Sequence, residues 1–496
     1  MQTNRIAAAT LIVVSGIAAS TTQAGPAPAP ARVIHSTIDG HPTAQVPGRP
    51  GLVFRNFWRP YASPDGSRWA MRANSQFFDS GPMLLTGVGT TASVIVAQND
   101  AAPWAPSEVI STVDEQMGVN NAGVIAFSSN TNNGPNETDE YVLTYDGSTF
   151  TIVAQEGGAI AAVPGSQYGV ILDDTHILED GTVGLRSINS TGLPSDEDTL
   201  LVLGDTLVAR EGITVPLGQV LGRMEPWDAF DFQGYQHSAD GSSYMAIGDL
   251  EGDSNTDGAV VIDGVVRIME GSLVLPLTSP VASGFNGIRE GNMNAAGDWF
   301  VRGGNSDGQD WVVRNAQVIA ATGEPILMGS GERFDDAVPN TAGFYLHVGN
   351  NKGDYVVGGY TDLPDRPYAG VVVLNNEQVV MRLNDPIDVD GDGFADDFFI
   401  SDFDVDKAFL TDDLKLYIVV KLADLNGPID AEAFVLLDLD PSPCPADLDG
   451  DGAVGSADLG ALLGAWGQPD PADFDGSGSV GSEDLGVLLG SWGPCP

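Results

Sequence analysis

The residues of this chain that are most clearly spaced for chemistry are the carboxylates of its last fifty positions. Residues 447–458 carry acidic side chains at positions 1, 3, 5 and 12 of a twelve-residue stretch, and Gly452 stands at position 6. The spacing recurs 26 residues later in residues 473–484, where Ser477 replaces the third acid and Gly478 repeats the glycine. Calcium loops need oxygen ligands at these positions and a sharp turn at the sixth. The pattern therefore predicts two calcium sites.

Each of these loops runs into a short segment with the periodicity of an amphipathic helix. Apolar residues recur at i, i+3, i+4 and i+7, and each unit is too small to bury such a face alone. We therefore expect the two loop-helix units to pack on one another through these faces. The residues of the faces are Leu459, Leu462, Leu463 and Trp466 in the first unit and Leu485, Leu488, Leu489 and Trp492 in the second.

The duplicated unit resembles the type I dockerin family, whose members are calcium-binding anchors that dock secreted bacterial proteins onto cohesin modules. The likeness rests on the aspartate at position 12, the single short helix after each loop and the offset between the repeats, and it covers residues 444–495. It implies bound Ca²⁺ and a cohesin-like partner or a component of the cell surface. The implied ligands are Asp447, Asp449, Asp451, the carbonyl of Ala453 and Asp458 in the first loop, and Asp473, Asp475, Ser477, the carbonyl of Ser479 and Asp484 in the second.

The sequence departs from the usual dockerin pattern at position 9, where Gly455 and Gly481 imply that a water molecule completes the coordination. Cys444 and Cys495 close the ends of the unit, as in the GC-type variant of the family, and in an oxidising compartment they can pair.

Because the first loop has four carboxylates and the second has three, we expect weaker binding at the second site. The alternative, a solvated acidic tail, gives no reason for leucines and tryptophans to repeat in register.

The first residues indicate export. Residues 1–24 combine an early positive charge, an apolar run and the small-residue pattern Thr22-Gln23-Ala24, which is typical of a secretory signal peptide. Residues 25–45 begin as a Pro-Ala linker and include a candidate strand. No apolar run approaches the roughly 20 residues that a membrane-spanning helix needs. We therefore expect a protein without a membrane span, secreted or displayed at the cell surface.

The overall charge excludes two classes of partner. The chain has 21 basic and 68 acidic residues, and its formal net charge is -47. Such a surface repels the phosphates of nucleic acids and of anionic membranes. A charge of this sign is compatible with calcium and with a salty environment, where it keeps the protein soluble.

Residues 46–440 form a repeat that is weak in identity and clear in phase. Turn pairs recur at intervals of 57, 58, 60, 56, 56 and 60 residues, and each is followed by an apolar strand, a polar loop and a hairpin. Two-residue hairpin turns such as Asp263-Gly264 and Asn375-Asn376 stand between β-branched runs. The turn pairs are Asp65-Gly66, Ala122-Gly123, Asp180-Gly181, Asp240-Gly241, Ala296-Gly297, Lys352-Gly353 and Asp412-Asp413.

This period predicts an all-β fold, a seven-bladed β-propeller of four-stranded blades, followed by the small α-helical calcium unit over residues 441–496. Consecutive β-sandwiches are the alternative, but they would not keep one phase over such a length. The last repeat supplies only three strands. We therefore expect residues 33–37 to provide the missing outer strand and to join the two ends of the ring.

One loop of the body also has calcium spacing. Acids occupy alternate positions from residue 388 to residue 392 and return at residue 396, which is similar to the calcium loops of integrin-type propeller repeats. The alternative is an acidic turn without a ligand. The candidate ligands are Asp388, Asp390, Asp392, the carbonyl of Phe394 and Asp396.

Catalytic residues do not emerge from the sequence. His176, His237 and His347 fall at similar phases of three repeats, so they could form a metal or acid-base cluster, but isolated histidines at strand ends are the simpler interpretation. Two functions therefore remain. The first is a non-catalytic binding or scaffold protein held by its dockerin-like unit, and the second is an extracellular polysaccharide hydrolase or lyase targeted by the same unit.

Overall fold

The computed structural model of the chain describes residues 31–75, 81–132, 135, 137–335, 342–364, 369–390, 398–439, 446–448, 453–468, 472–474 and 479–494. The chain divides into two compact units. One extends from Ala29 to Ser442, and the described residues from 446 onward belong to the other. We describe each unit by itself.

The larger unit is a seven-bladed β-propeller. Each blade is an antiparallel sheet of four principal strands, and the first strands of neighbouring blades pack beside one another around a central channel. We number the blades 1 to 7 along the chain and call their strands inner, second, third and outer. The prediction of seven four-stranded blades is confirmed.

The first four blades follow one another directly along the chain. Blade 2 has an additional strand, Ala101–Ala102, and the inner strand of blade 4 is interrupted, so that two short segments pair with the same second strand. From inner to outer, the strands are Asn56–Ala62, Trp69–Asn74, Pro82–Val88 and Thr91–Ala97 in blade 1; Ala105–Val119, Ile125–Asn132, Glu140–Tyr145 and Phe150–Gln155 in blade 2; Ile171–Ile177, Val183–Ile188, Leu200–Leu203 and Thr206–Arg210 in blade 3; and Trp227–Phe230 with Gln236–His237, Tyr244–Leu250, Gly258–Ile262 and Val265–Met269 in blade 4.

The last three blades complete the ring, and short 3-10 turns at Pro42–Ala44, Val220–Gly222 and Gly284–Asn286 lie in connections between blades. The strands are Ile288–Met293, Trp299–Gly304, Asp310–Arg314 and Gln317–Ala321 in blade 5; Phe344–Gly349, Tyr355–Tyr360, Gly370–Leu374 and Gln378–Arg382 in blade 6; and Phe398–Leu410, Lys415–Asp424, Gly427–Asp438 and Ala31–Ser36 in blade 7, with Ile387–Asp388 at its edge.

The N-terminal strand closes the ring, as the sequence indicates. Ala31–Ser36 pairs antiparallel with Gly427–Asp438, with Arg32 opposite Leu436 and Ser36 opposite Ala433. The first and last segments of the propeller therefore share one sheet. Without this pairing, the ring would be open and two strands would have unpaired edges.

The repeated turn pairs connect each inner strand to the second strand, so a blade begins one strand before its turn. In blade 7 the predicted pair Asp412-Asp413 is displaced by one residue. Thr411 there bonds the side chain of Asp413, as Ser63 bonds Asp65 in blade 1, and Leu414 takes the left-handed conformation (φ +56°) that glycine adopts elsewhere.

The core consists of apolar layers between neighbouring blades. The second strands are almost fully buried because both of their faces are covered. Trp69, in the second strand of blade 1, and Trp311, in the third strand of blade 5, are both 0% exposed. The layer between blades 7 and 1 contains Ile34 of the closing strand together with Phe57 and Phe434. This junction is therefore packed in the same manner as the other junctions of the ring.

The smaller unit contains two helices, α1 (Ser456–Gly464) and α2 (Ser482–Gly490), and two short paired strands, Ala453–Val454 and Gly493–Pro494. Its core is shared by the two repeats. Leu462 and Leu488 are 0% exposed in it, and so the expected packing of one repeat on the other is confirmed at these positions.

Candidate functional site

The inner strands carry irregularities that turn charged residues toward the channel. Strand register breaks between Phe57 and Pro60 in blade 1, and similar breaks occur in blades 2, 3, 5 and 7. A β-bulge leaves an unpaired residue and re-aims its side chain. The polar residues at or beside these breaks include Arg59, Asp114, Glu115, Gln116, Asp174, Glu290, Asp404, Asp406 and Lys407.

The first group of charges joins three blades. Arg59 Nη1 of blade 1 lies 3.1 Å from Glu290 Oε1 of blade 5. Arg302 Nη2 contacts two carboxylates, since it lies 3.2 Å from Glu290 Oε2 and 2.6 Å from Asp406 Oδ2 of blade 7. Because one guanidinium nitrogen serves both acids, the two carboxyl groups lie close to one another. This group, Arg59, Glu290, Arg302 and Asp406, is the acid pair site.

The two acids of the acid pair site differ in proton affinity. Burial, together with the charge of Asp406, raises the pKa of Glu290 to about 8. Burial acts in the same direction on Asp406, but Arg302 and His347 outweigh it and hold the pKa of Asp406 below its ordinary value. The environment thus raises the pKa of Glu290 and lowers that of Asp406, which is the pattern of a general acid beside a carboxylate.

His347 completes this side of the channel. It is 0% exposed, and its Nδ1 lies 3.2 Å from Asp406 Oδ1, at an angle that does not form a hydrogen bond. Burial lowers the pKa of His347, although Asp406 acts in the opposite direction. His347 therefore belongs to the acid pair site and not to a three-histidine cluster.

The second group of charges lies in blade 3. Arg186 donates two hydrogen bonds to Asp173, with Nε and Nη2 each 2.8 Å from a carboxylate oxygen. Asp174 has a left-handed backbone (φ +50°) and accepts hydrogen bonds from the backbone amides of Gln233 and Tyr235. Burial raises the pKa of Asp174 to about 7, and Arg186 offsets part of the effect. The group ties blade 3 to the interrupted inner strand of blade 4.

Two of the three histidines meet beside the second group of charges. His176 Nε2 lies 2.9 Å from His237 Nδ1, and the two ring planes are inclined by 26° with their centroids 5.1 Å apart. Burial lowers the pKa of His176 to about 4 and, with the neighbouring ring, that of His237 to about 3. The interpretation of these two histidines as isolated is therefore wrong. They adjoin a cavity of 140 Å³ that the inner strands of blades 1 to 5 enclose.

Hydrogen bonds between the inner turns link neighbouring blades near this cavity. Pro64, Ala239 and Ala295 line the cavity from the turns, so the turns form its rim. Asn351 reaches two blades, since its amide donates to the Asp412 side chain and its Nδ2 donates to the Pro64 carbonyl. The other links run from the amide of Asp65 to Asn121 Oδ1, from Asn121 to Glu179, from Glu179 to Ala239, from Ala239 to Ala295 and from Ala296 to Asn351 Oδ1.

The described parts of the two C-terminal loops have equivalent geometry. Asp458 and Asp484, at loop position 12, are each 1% exposed, and each accepts a hydrogen bond of 2.6 Å from the glycine amide at position 9. Val454 pairs with Gly493 after α2, and residue 480 pairs with residues 467 and 468 after α1. Each loop is thus held by the segment that follows the helix of the other repeat.

The prediction that the whole apolar face of each helix is buried in this unit is wrong in part. Leu463 and Leu489 are both 53% exposed, and Trp466 and Trp492 are 44% and 49% exposed. The faces were expected to be buried between the repeats, but a nine-residue helix can turn only one narrow stripe toward its neighbour. The same two side chains of each repeat therefore remain exposed, and we call Leu463, Trp466, Leu489 and Trp492 together the Leu-Trp surface.

Several predicted ligands lie outside the described residues: Asp392, Phe394, Asp396, Asp449, Asp451, Asp475 and Ser477. Cys444 and Cys495, the predicted disulfide pair, also lie outside them. The remaining predicted ligands lie within the described residues. Asp447 and Asp473 are half-buried, Asp390 is exposed, and Asp388 is buried where Ile387–Asp388 pairs with the closing strand. No group of three or more His, Cys, Asp or Glu side chains in the described part of the chain is placed to hold a metal ion.

The acid pair site was missed by sequence reasoning, although a signal exists. Glu290 and Asp174 each stand seven residues before a turn glycine, and Arg302 and Arg186 each stand five residues after it. A charged residue that recurs at a fixed distance from the turn glycine, within an otherwise apolar strand, therefore indicates a position that faces the channel.

The fold and these sites define a class: a seven-bladed β-propeller with a charged central channel, followed in the chain by a unit of two loop-helix repeats. In the described part of the chain, neither helix has the length and apolar character that crossing a membrane requires.

No protein-family model and no curated protein sequence matches the chain. Among solved structures, it is similar to a Dos1 propeller, with 10% identity, a TM-score of 0.38 and coverage of 82% of this chain and 95% of the other. It is also similar to hydrazine synthase from Kuenenia stuttgartiensis (13%, 0.36, 77% and 99%) and to an acylaminoacyl peptidase (9%, 0.37, 74% and 51%). Our assignment of the fold rests on the strand pairing.

Proposed function

We propose that this protein is an exported, non-catalytic binding or scaffold protein whose C-terminal unit binds calcium and attaches the propeller to a cohesin-type partner or to the cell surface. The observation that carries the proposal is the equivalence of the two repeats of that unit. Each buries the carboxylate of position 12 in the same hydrogen bond and each exposes the same leucine and tryptophan.

The charge of the unit supports calcium as its ion. Residues 441–496 contain nine acidic residues and no lysine, arginine or histidine. Burying a carboxylate is costly unless a positive charge or hydrogen bonds compensate for it, and this segment supplies no positive side chain. A cation from solution fits the donor set, because carboxylate and carbonyl oxygens are the ligands that Ca²⁺ prefers. Bound there, Ca²⁺ would neutralise the loops and hold the helices.

The Leu-Trp surface supports the attachment. Four large apolar side chains on one small unit are more than solubility favours, and exposed apolar patches commonly mark interaction sites. Tryptophan is enriched among the residues that contribute most to binding energy at interfaces. The surface depends on the helices, so calcium that orders the helices would control the attachment.

Calcium titration of the full-length protein by calorimetry tests the first part of the proposal. We expect Asp458→Asn to remove the tighter of two C-terminal binding events and Asp484→Asn to remove the weaker one. Glu483→Gln is the matched control, because Glu483 is an exposed neighbour of Asp484 and stands outside the ligand positions. Equal loss of binding in the control, or no binding by the unaltered protein, would refute calcium binding by these loops.

Binding to an immobilised cohesin-type module tests the partner. We expect retention in calcium and release by chelator, and we expect the double variant Trp466→Ala and Trp492→Ala to lose retention while it still binds calcium. Retention that is unaffected by chelator and by the double variant would exclude this mode of attachment.

A second function is favoured by one observation, the contact of Glu290 and Asp406 with the same guanidinium nitrogen of Arg302 in the channel. Glu290 is protonated near neutral pH, its side chain is 20% exposed, and Asp406 stays ionised next to it. A polysaccharide hydrolase or lyase needs such a proton donor at the glycosidic oxygen. In this alternative, the channel would be the catalytic site and the C-terminal unit would deliver it to its substrate.

Polysaccharide assays separate the two functions. Release of reducing ends or of unsaturated uronate products by the unaltered protein would favour the enzyme, provided that Glu290→Gln abolishes the activity. Glu332→Gln, which alters an acid paired with Arg382 away from the acid pair site, serves as the control. Binding without turnover would favour the scaffold.

A further inference from the structure

His176 and His237 present two ring nitrogens to one point. Nδ1 of His176 lies 2.9 Å from the carbonyl oxygen of Asp174, which can only accept, so this nitrogen carries the proton. Nε2 of His176 therefore carries no proton, and its lone pair accepts the hydrogen bond from His237 Nδ1 at 2.9 Å. A carbonyl that fixes the outer nitrogen of an imidazole is the arrangement found behind metal-binding histidines.

The space around the pair is asymmetric. Gly184 packs against the Nε2–Cε1 part of the His176 ring, where even a methyl group would lie 2.2 Å from Nε2, so His176 has no room to move toward Gly184. His237 belongs to the two-residue strand Gln236–His237, and both rings line the 140 Å³ cavity. Met117 and Met293 line the same cavity. His176 is therefore fixed on that side, and any adjustment of the pair falls to His237, whose ring lies beside Tyr235 and Tyr244 with centroids 5.1 and 5.6 Å away.

We propose that His176 and His237 form a binding site for a soft monovalent metal ion of the Cu(I) or Ag(I) class, held between His176 Nε2 and His237 Nδ1 in place of the shared proton. Imidazole nitrogens and thioether sulfurs are ligands that suit copper, and soft thioethers select its monovalent form. The two methionines that line the cavity would supply the soft surroundings.

The geometry favours this class of ion over Zn²⁺ or Ca²⁺. Zinc needs about four ligands and calcium six or more. The described residues contain no group of three His, Cys, Asp or Glu that could provide them. A monovalent soft ion is satisfied by two nitrogens in a nearly linear arrangement. Two oppositely directed donors that already share a proton are suited to that arrangement.

Entry of the ion requires one movement. Metal-imidazole bonds are about 2.0 Å long, so a linear unit separates the nitrogens by about 4 Å, against the 2.9 Å of the hydrogen bond. Because Gly184 and the Asp174 carbonyl hold His176, His237 must move by roughly 1 Å toward the cavity. The proton of His237 is transferred from Nδ1 to Nε2 by exchange with solvent, so that the ring binds the ion as a neutral imidazole through Nδ1.

Titration with silver nitrate in chloride-free buffer, followed by calorimetry and by native mass spectrometry of the full-length protein, tests the site. We expect one bound Ag(I) that is lost in His176→Ala and in His237→Ala. His41→Ala is the matched control, because His41 lies in the connection before blade 1, where it caps the 3-10 turn Pro42–Ala44, and it should leave binding unchanged. We expect Met117→Leu with Met293→Leu to weaken binding by about tenfold or more, since the surrounding groups typically contribute on this scale.

Two results would overturn the proposal. One is unchanged silver stoichiometry and affinity in His237→Ala, provided that its circular dichroism spectrum shows a folded propeller. The other is equal loss of binding in His41→Ala, which would indicate non-specific association with histidine side chains. If His176→Ala does not fold, His237→Ala and the methionine pair still decide the question.

Discussion

At the scale of the residue, the feature that most needs explanation is the burial of opposite charges in the channel. Arg302 is held by Glu290 and Asp406, and a buried charge that loses its partner is strongly destabilising. The two acids are not equivalent, however, because Glu290 carries a proton at neutral pH and Asp406 does not. Replacing each acid by its amide should therefore change the free energy of unfolding by different amounts.

We expect Asp406→Asn to lower the free energy of unfolding by about 3–5 kcal/mol, because Arg302 would keep its charge in the channel without the counterion at 2.6 Å. Glu290→Gln should cost less, about 1–3 kcal/mol, because the amide leaves the charge of the site nearly unchanged but its nitrogen cannot accept from one of the two guanidinium groups that Glu290 contacts. Urea unfolding at pH 7 measures both. Equal costs would show that the proton is not on Glu290.

We also expect a large difference between two glycines of nearly identical backbone conformation. Gly66 (φ +71°) lies in the inner turn of blade 1, where an added Cβ would stand 2.6 Å from Thr411 of blade 7. Gly48 (φ +70°) has nothing within 4 Å. Gly48→Ala should cost about 1 kcal/mol from the left-handed backbone alone. Gly66→Ala should cost about 1–3 kcal/mol more through overpacking at the closing junction. Thermal unfolding of the two variants measures both losses of stability. Equal losses in Gly48→Ala and Gly66→Ala would contradict the prediction.

At the scale of the element, the closing strand matters most, because it joins the ends of the propeller. Ala31–Ser36 supplies both the outer edge of blade 7 and the side chain of Ile34 in the layer between blades 7 and 1. A ring of blades shares its apolar layers between neighbours, so an opening at one junction exposes two of them. The strand should therefore stabilise the whole ring and not only one blade.

We expect Ile34→Asp to lower the free energy of unfolding by more than about 3 kcal/mol, because it places an unpaired charge in a buried apolar layer. Arg32→Ala, which alters an exposed residue of the same strand, should change it by less than about 1 kcal/mol. Deletion of residues 25–45 should abolish the cooperative transition. Circular dichroism melting detects all three effects, and an unchanged melting temperature in the deletion would disprove closure by this strand.

At the scale of the whole molecule, the buried carboxyl groups set the dependence of stability on pH. Burial raises the pKa of Glu140 and of Glu290 from 4.5 to about 8. The folded state therefore binds more protons than the unfolded state between these values. The stability that these groups contribute is complete below pH 4.5 and is lost as the pH rises through 8. Burial lowers the pKa of His35 from 6.5 to about 4, and its contribution is lost as the pH falls through that range.

We accordingly expect the free energy of unfolding to be greatest at mildly acidic pH and to fall by several kcal/mol toward pH 9. Urea titrations at pH 5, 7 and 9 measure the change. The double variant Glu140→Gln and Glu290→Gln should have a flatter alkaline limb than the unaltered protein. Stability that rises steadily from pH 5 to pH 9 would contradict the assignment of raised pKa values to these two acids.

Much of the fold was predictable because it depends on local interactions. A hairpin such as Gly258–Ile262 and Val265–Met269 follows from a turn in which Asp263 and Gly264 both have positive φ, and adjacent residues encode such turns. The number of blades was predicted from the seven turn pairs that connect inner and second strands, such as Asp65-Gly66. The displaced turn of blade 7 was missed because Leu414 adopts a conformation that its residue type does not announce.

The site was less predictable because it depends on contacts between distant residues. Arg59 and Glu290 are 231 positions apart, and they meet only because the ring closes and bulges aim their side chains inward. His176 and His237 likewise meet because the inner strand of blade 4 is interrupted.

The sequence by itself determined the periodic propeller, its closing strand and the paired acidic loops, because turn residues and alternating apolar residues act on their near neighbours. Only the tertiary structure decided which charges share the channel, which histidines pair, and that Trp466 and Trp492 remain exposed. The physical reason is that burial and the pKa values that follow from it are properties of the assembled environment, and no spacing along the chain contains them.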